Sequence, residues 1–388
     1  MSNSGFVLLD KTAGETSFKA LFPLKRVFST KRVGHAGTLD LRASGLIIAA
    51  TGRCTRLLPF VEAKDKCYSF RLHLGYETDT LEWDGEVVAQ DERAVDVASA
   101  DERHPRAEGV VVAPAANCTL AWPRPSADEC SLSDSQPMPD KDIGIQGDVA
   151  SKVPEFVEGP KDGKNESVIL SEEPEARSRR IQGVSREMLE AVLPQFVGDI
   201  EQVPPKYCAV KINGVRASDL MERGRNIELK PRKIRISELK VIGEGNVTEG
   251  CSGKEFATFD LICECSKGTY IRALGRDIGR ALGTYACVSQ IRRHRIGNVT
   301  LDKAVRGEDL TRENLLPVDA VLDFPVVRLT DEQVAVIRQG NWLPWKEKIE
   351  GVGPEGHVFV ANMQGEVLSL CHYEPGRIKP KFYLGEDE

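Results

Sequence analysis

No apolar run in this 388-residue chain approaches the roughly 18 residues that a membrane-spanning helix needs. The opening Met1-Ser2-Asn3-Ser4-Gly5 has no basic segment, and Phe6-Val7-Leu8-Leu9 is too short for a signal peptide, so a cytoplasmic protein is expected. Its ten cysteines are scattered and none forms a Cys-x-x-Cys pair, which argues against zinc sites and disulfides. Cys263 and Cys265, two apart in an apolar segment, read as residues on one face of a strand. A phosphate-binding P-loop, an H-E-x-x-H helix and a G-x-S-x-G elbow are all missing, and the six histidines are dispersed. Gly351 to Gly356 formally fits G-x-G-x-x-G, but it precedes a strand and contains Pro354, so it reads as a turn rather than a dinucleotide site.

A net charge of −7 argues against a nucleic-acid partner only until it is divided along the chain. Residues 91–181 hold 19 acids and 11 bases, whereas the remainder holds 40 acids and 41 bases. The same acidic stretch contains nine of the 21 prolines and only two aromatics, Trp122 and Phe156, with no sustained periodicity. Such a composition buries too little apolar surface to offset chain entropy, so a poorly ordered insertion is expected there. Elsewhere bases cluster at Lys25-Arg26, Lys31-Arg32, Arg232-Lys233 and Arg292-Arg293-His294-Arg295, the electrostatic footprint of phosphate contacts.

What the chain does have centres on Gly34-His35-Ala36-Gly37-Thr38-Leu39-Asp40, one carboxylate among small residues directly before the apolar run Leu46 to Ala50. Glycines there permit a bulky partner such as a nucleotide to lie against the loop. Around it, Phe6 to Leu9 reads as a strand. Leu21, Leu24, Val27 and Phe28 are spaced for a helix with Ser17 as its cap, and Thr55 to Val61 for a short helix. Tyr68, Phe70, Leu72 and Leu74 alternate as one face of a strand, with Tyr68 facing inward. Phe256 to Cys265 is a further strand. Thr269 is positioned to cap a helix that runs to Leu282, buries Ile271, Leu274 and Ile278, and stops at Gly283. Arg272, Arg276 and Arg280 then share its other side. Beyond about residue 325, short apolar runs separated by Gly-rich turns suggest a small β-barrel.

Three ordered blocks carry a resemblance. The Gly34 to Asp40 heptad, with Leu8-Leu9-Asp10-Lys11 before it and Lys66-Cys67-Tyr68 after it, resembles the catalytic block of bacterial tRNA pseudouridine-55 synthases, the TruB family. Val203 to Gly214 and Cys265-Ser266-Lys267-Gly268-Thr269-Tyr270-Ile271-Arg272 resemble two later segments of that family, and the likeness covers about residues 5–90 and 182–325. It departs at Thr12 and at Leu41-Arg42, where Pro and Pro-Leu are usual, and at Ser218, where an aromatic is usual.

The resemblance implies an α/β (α+β) pseudouridine synthase fold with a mixed sheet. Residues 1–90 and 182–323 would form the catalytic domain, 91–181 an insertion, and 324–388 a small PUA-like RNA-binding β-barrel. The implied reaction isomerises a uridine in the T-loop of tRNA, breaking a C–N glycosidic bond and forming a C–C bond, with no metal and no organic cofactor. The implied catalyst is Asp40, by addition to ribose C1′ or by removal of a ribose proton. Tyr68 would stack on the base, and Arg272 would orient the carboxylate by paired hydrogen bonds. Lys11, Tyr270 and Ile291 would line or support the pocket, and His35 would fill space vacated in the T-loop. A monomer bound to the tRNA T-stem-loop, with no membrane partner, is expected. The alternative readings are a non-catalytic tRNA-binding or RNA-folding module and, more distantly, a glycosidase pairing Asp40 with Asp79 or Asp84.

Overall fold

The computed structural model describes residues 4–91, 184–243, 246–249 and 255–385, which fall in one compact unit. Except for Asp91, the expected insertion at 91–181 lies outside the described residues. In chain order the strands are β1 (Gly5–Lys11), β2 (Val33–Ala36), β3 (Ser44–Thr51), β4 (Lys66–Leu74), the hairpin β5 (Tyr76–Thr78) and β6 (Val87–Gln90), and β7 (Gly198–Gln202). There follow the hairpin β8 (Lys211–Ile212) and β9 (Val215–Arg216), then β10 (Arg232–Val241), β11 (Asn246–Glu249), β12 (Glu255–Cys265), β13 (Ala286–Ile296) and β14 (Val299–Thr300). The last five are β15 (Val326–Arg328), β16 (Leu343–Trp345), β17 (His357–Ala361), β18 (Val367–Glu374) and β19 (Gly376–Tyr383).

Ten of these strands make a mixed sheet with the backbone order β1-β3-β13-β4-β12-β10-β7. The pairing of β3 with β13 is parallel and the others along this path are antiparallel. The central strands are buried on both faces, which is why β3 reads as the unbroken apolar run Leu46 to Ala50 rather than as an alternation. Their alternate side chains supply two different cores. Val7, Leu9, Ile47 and Ala49 join Leu274 and Ile278 beneath the helix Ile271–Ala281, while Phe6, Leu8, Leu46 and Ile48 point to the opposite face. On that opposite face they meet Phe359 and Leu370 of a second sheet, ordered β15-β17-β18-β19-β16.

The helix lies tight on the main sheet because two of its residues carry no Cβ. A methyl at Gly275 would come 2.3 Å from Val288 Cγ1, and one at Gly279 would come 2.5 Å from the Ala286 Cβ, both on β13. Several local readings need correction. Thr269 does not cap the helix: the N-cap position is Tyr270, which gives no side-chain hydrogen bond to the first turn, and the Thr269 hydroxyl donates to the Ser266 carbonyl. Ser17 caps no helix, because its hydroxyl is engaged by Leu39, and the first helix is only Phe22–Val27 after a 3-10 turn Lys19–Leu21. Thr55 to Val61 divides into a 3-10 turn, Gly52–Leu57, and a short helix, Leu58–Glu62.

Candidate active site

Asp40 sits in the loop between β2 and β3, and that loop is pinned from several sides. Ser17 Oγ accepts a hydrogen bond from Leu39 N at 2.9 Å and donates to the Leu39 carbonyl at 3.0 Å. Lys11, fully buried at the end of β1, donates its ammonium to the carbonyls of Thr12, Glu15 and Leu41 at 2.9, 2.6 and 3.3 Å. Burial lowers the Lys11 pKa to about 8, against the attraction of Glu15 and Asp40. At the far end of the loop, Gly45 has φ +101° and lies where a Cβ would stand 2.4 Å from the Arg293 carbonyl oxygen. No larger residue fits that crossing of β3 with β13.

Arg272, in the first turn of the helix and almost wholly buried, reaches three segments at once. Its Nε and Nη2 donate to the two Asp40 carboxylate oxygens at 2.8 and 3.1 Å. Nη1 donates to the Thr80 carbonyl and Nη2 also to that of Tyr207, each at 2.9 Å. A buried guanidinium needs such partners, and a two-pronged contact fixes the plane of the carboxylate as well as its position. The Asp40 side chain remains 42% exposed, so its unengaged side opens toward solvent. Arg42 adds a second tie from this loop to the 79–85 turn through a 2.8 Å ion pair with Asp84.

Tyr68 lies at the start of β4, half-buried against the core under the helix and opposite Arg293 in the β4–β13 register. Burial raises its phenol pKa, opposed by the charge and hydrogen bond of Arg293, so the hydroxyl stays protonated near neutral pH. Ile291 joins the same core from within a break in the β4–β13 register between Ser289 and Arg292, where Gln290 has φ +52°. Such an irregularity re-aims side chains beside a site. Tyr270 is held through its backbone, its N–H donating to Gln202 Oε1 at 2.8 Å and its carbonyl accepting from Gln202 Nε2 at 3.1 Å. His35 lies on strand β2, half-buried, with its pKa lowered by burial and by Arg293, so it is a neutral imidazole.

Asp40, Arg272 and the Lys11-held loop thus form one bonded constellation. Tyr68 and Ile291 belong to the core that also holds Leu39 and Ile271, the chain neighbours of Asp40 and Arg272, and Tyr270 adjoins Arg272 in the chain. Asp79 and Asp84 occupy different positions: Asp79 accepts the N–H groups of Thr80 and Glu86 to shape a turn, and Asp84 is paired with Arg42.

Two further residues stand near the site, Arg293, read from the sequence only as part of the basic run 292–295, and Glu82, which no pattern marks. Arg293 is fully buried, donating from Nε to the Leu46 carbonyl at 2.7 Å and from Nη2 to that of Gly37 at 3.0 Å. Glu82 has its carboxyl pushed up to about 7, because burial outweighs the attraction of Arg272. The basic cluster at 292–295 is consequently no phosphate-binding patch. Arg292 pairs with Asp10 at 2.8 Å, Arg295 with Glu264 at 2.5 Å, and His294 shares a hydrogen bond with Ser69 at 2.7 Å. Nor is the arginine side of the helix a solvated face. Arg276 is buried, bonding Asp277 and the Val203 carbonyl, and only Arg280 is exposed.

A groove of about 560 Å³ lies elsewhere, lined by Glu190, Leu193, Pro194, Val197 and β10 residues 239–241, and shares no residue with this constellation.

Comparison with known proteins returns one family model, the N-terminal domain of TruB family pseudouridylate synthases, matched by residues 25–112 and 165–271. A tRNA pseudouridine synthase B of Caulobacter sp. (strain K31) is 29% identical, covering 97% of this chain and 94% of that protein. The protein of the same name from Rhodopseudomonas palustris is 31% identical, covering 97% of this chain and 80% of its own length. Among solved structures, an H/ACA RNP bound to a substrate RNA containing 2′-deoxyuridine matches with a TM-score of 0.57 at 15% identity, over 99% of this chain and 86% of that one. An archaeal box H/ACA sRNP Nop10-Cbf5 complex gives 0.55 at 16% identity, over 98% and 86%. At such identity these two structures speak for the fold.

Proposed function

The chain belongs to the TruB family of pseudouridylate synthases, and from that premise we propose that Asp40 is the catalytic group of a uridine isomerisation at position 55, in the T-loop of tRNA. The protein converts uridine to pseudouridine in tRNA. The observation that carries the assignment to Asp40 is the fork of Arg272, two donors on one carboxylate whose other side is open.

The chemistry asks for one oriented carboxylate and a pocket that accepts a base taken out of its stack. Asp40 acts while the N1–C1′ bond breaks, either by adding to C1′ or by taking a ribose proton as uracil departs. The freed uracil turns and its C5 bonds to C1′, and loss of the C5 proton completes the product. No group leaves and nothing is oxidised or reduced. Tyr68, a neutral phenol beside the core, stacks on the base, and Ile291 supplies an apolar wall. Arg272 keeps the carboxylate in one plane, Lys11 holds the loop that bears it, and Tyr270 stands next to Arg272. His35, uncharged, serves as a shape-filling contact to the T-loop.

The second sheet, from β15 onward, is read as a PUA-like RNA-binding domain, and the bound partner as the T-stem-loop of the tRNA. The protein is read as a cytoplasmic monomer. The test is tritium release from C5-labelled tRNA. Asp40→Asn keeps the side-chain size and removes the charge, so turnover should vanish while tRNA affinity stays near wild type. Near-normal turnover by that variant would sink the assignment and favour a binding module.

A further inference from the structure

The segment from Thr16 to Leu39 contains five bases, Lys19, Lys25, Arg26, Lys31 and Arg32, and no acid. None of the five enters an ion pair among the described residues, in contrast to the cluster at 292–295, which is spent on internal partners. The same segment carries two exposed phenylalanines. Ala20, Leu21, Leu24 and Phe28 take up its inward face, which leaves Phe18 and Phe22 outside at 60% and 49% exposure. The two rings meet edge to face with centroids 5.5 Å apart, and Lys25 Nζ stands 5.0 Å from each centroid. A single exposed phenylalanine needs no explanation, but an aromatic pair under a cation in an acid-free segment does. Its place bears on the site, since Phe18 follows Ser17, whose hydroxyl holds Leu39, the neighbour of Asp40.

We propose that Phe18, Phe22 and Lys25 form a stacking platform at the mouth of the site for an unpaired nucleobase of the tRNA substrate, next to the uridine that is drawn into the pocket. The inference rests on the tRNA reading given above. Extracting one base from a loop unstacks its neighbours, and an aromatic face recovers that stacking without reading sequence. In the free protein Lys25 covers the rings, and on binding it is positioned to turn to a phosphate. The surrounding bases supply the complementary charge for the polyanion.

The test uses the full-length protein and an unmodified tRNA transcript. In a Phe18→Ser, Phe22→Ser double variant, KM and Kd for tRNA should rise by roughly tenfold or more. The turnover number at saturation should stay within about twofold of wild type, because the platform binds without touching the reacting atoms. No charge is lost, so the salt dependence of Kd should keep its slope, whereas Lys25→Gln should flatten it by about one counterion. Phe18→Trp should retain affinity, and its indole emission should be quenched by tRNA. An unchanged Kd in the double variant, with emission of the Trp variant indifferent to tRNA, would overturn the platform. A double variant that changes oligomeric size while keeping its Kd would overturn it in favour of a contact between copies of the chain. Either result in an enzyme that still releases tritium leaves the isomerase reading standing. If the wild-type protein releases no tritium, that reading itself fails.

Discussion

At the scale of single residues, Arg272 separates charge from geometry. Arg272→Lys keeps a cation but cannot supply two parallel donors to Asp40 together with the contacts to Thr80 and Tyr207. The expected result is a loss of about 10- to 100-fold in turnover with little change in tRNA affinity, read by single-turnover kinetics. Glu82 makes a pH-dependent prediction. Its carboxyl is raised from an ordinary 4.5 to about 7, so the native state holds this proton more tightly than the unfolded chain does. The native state therefore incurs no penalty from Glu82 below 4.5, and the penalty grows as pH rises to about 7. Glu82→Gln should raise stability by on the order of 2–3 kcal/mol at pH 8 and leave it unchanged at pH 4, as urea unfolding at the two pH values would reveal. Asp40, Tyr68 and Arg272 could be singled out in the sequence because each stands in a dense local block. Arg293 and Glu82 could not, because what matters about them is burial and partners far along the chain, such as Leu46 and Gly37 for Arg293.

At the scale of elements, the helix Ile271–Ala281 positions Arg272 only as well as it seats on β13. Gly275→Ala would drive a methyl into Val288, and the helix must lift or the strand must shift. That substitution should cost about 1–3 kcal/mol of stability and also lower turnover, through Arg272, measured by thermal unfolding and tritium release on the same preparation. Full activity in Gly275→Ala would mean that Arg272 tolerates a displaced helix. Periodicity made the apolar stripe Ile271, Leu274, Ile278 legible, since burial of those three follows from spacing alone. For the arginines it gave only a common side, because a four-residue spacing does not say whether another segment covers that side. Here the carbonyls of Val203 and Tyr207 do so. The caps failed for a related reason: Ser17 and Thr269 have good capping chemistry, but Leu39 and Ser266 engage them first.

At the scale of the molecule, the two sheets share a core, with Phe6, Leu8 and Ile48 packed among Phe359, Leu370 and Leu384. The described unit should therefore unfold by calorimetry in a single transition. Removing residues 324–388 should lower the midpoint, because apolar side chains of β1 and β3 would lose their cover. Two well-separated transitions in the intact protein would contradict this. The order β3-β13-β4 also bears on how the protein is made. Strand β4 leaves the ribosome early, yet both of its neighbours, Glu255–Cys265 and Ala286–Ile296, lie roughly 180 residues or more further on, whereas β3 already has β1 and β2 along most of its length. At about 5–20 residues per second, the nascent chain displays both edges of β4 unfilled for roughly 10–40 s before their partners are synthesised. That strand, Lys66–Leu74, is where a chaperone would be needed and where a stalled or truncated chain would aggregate.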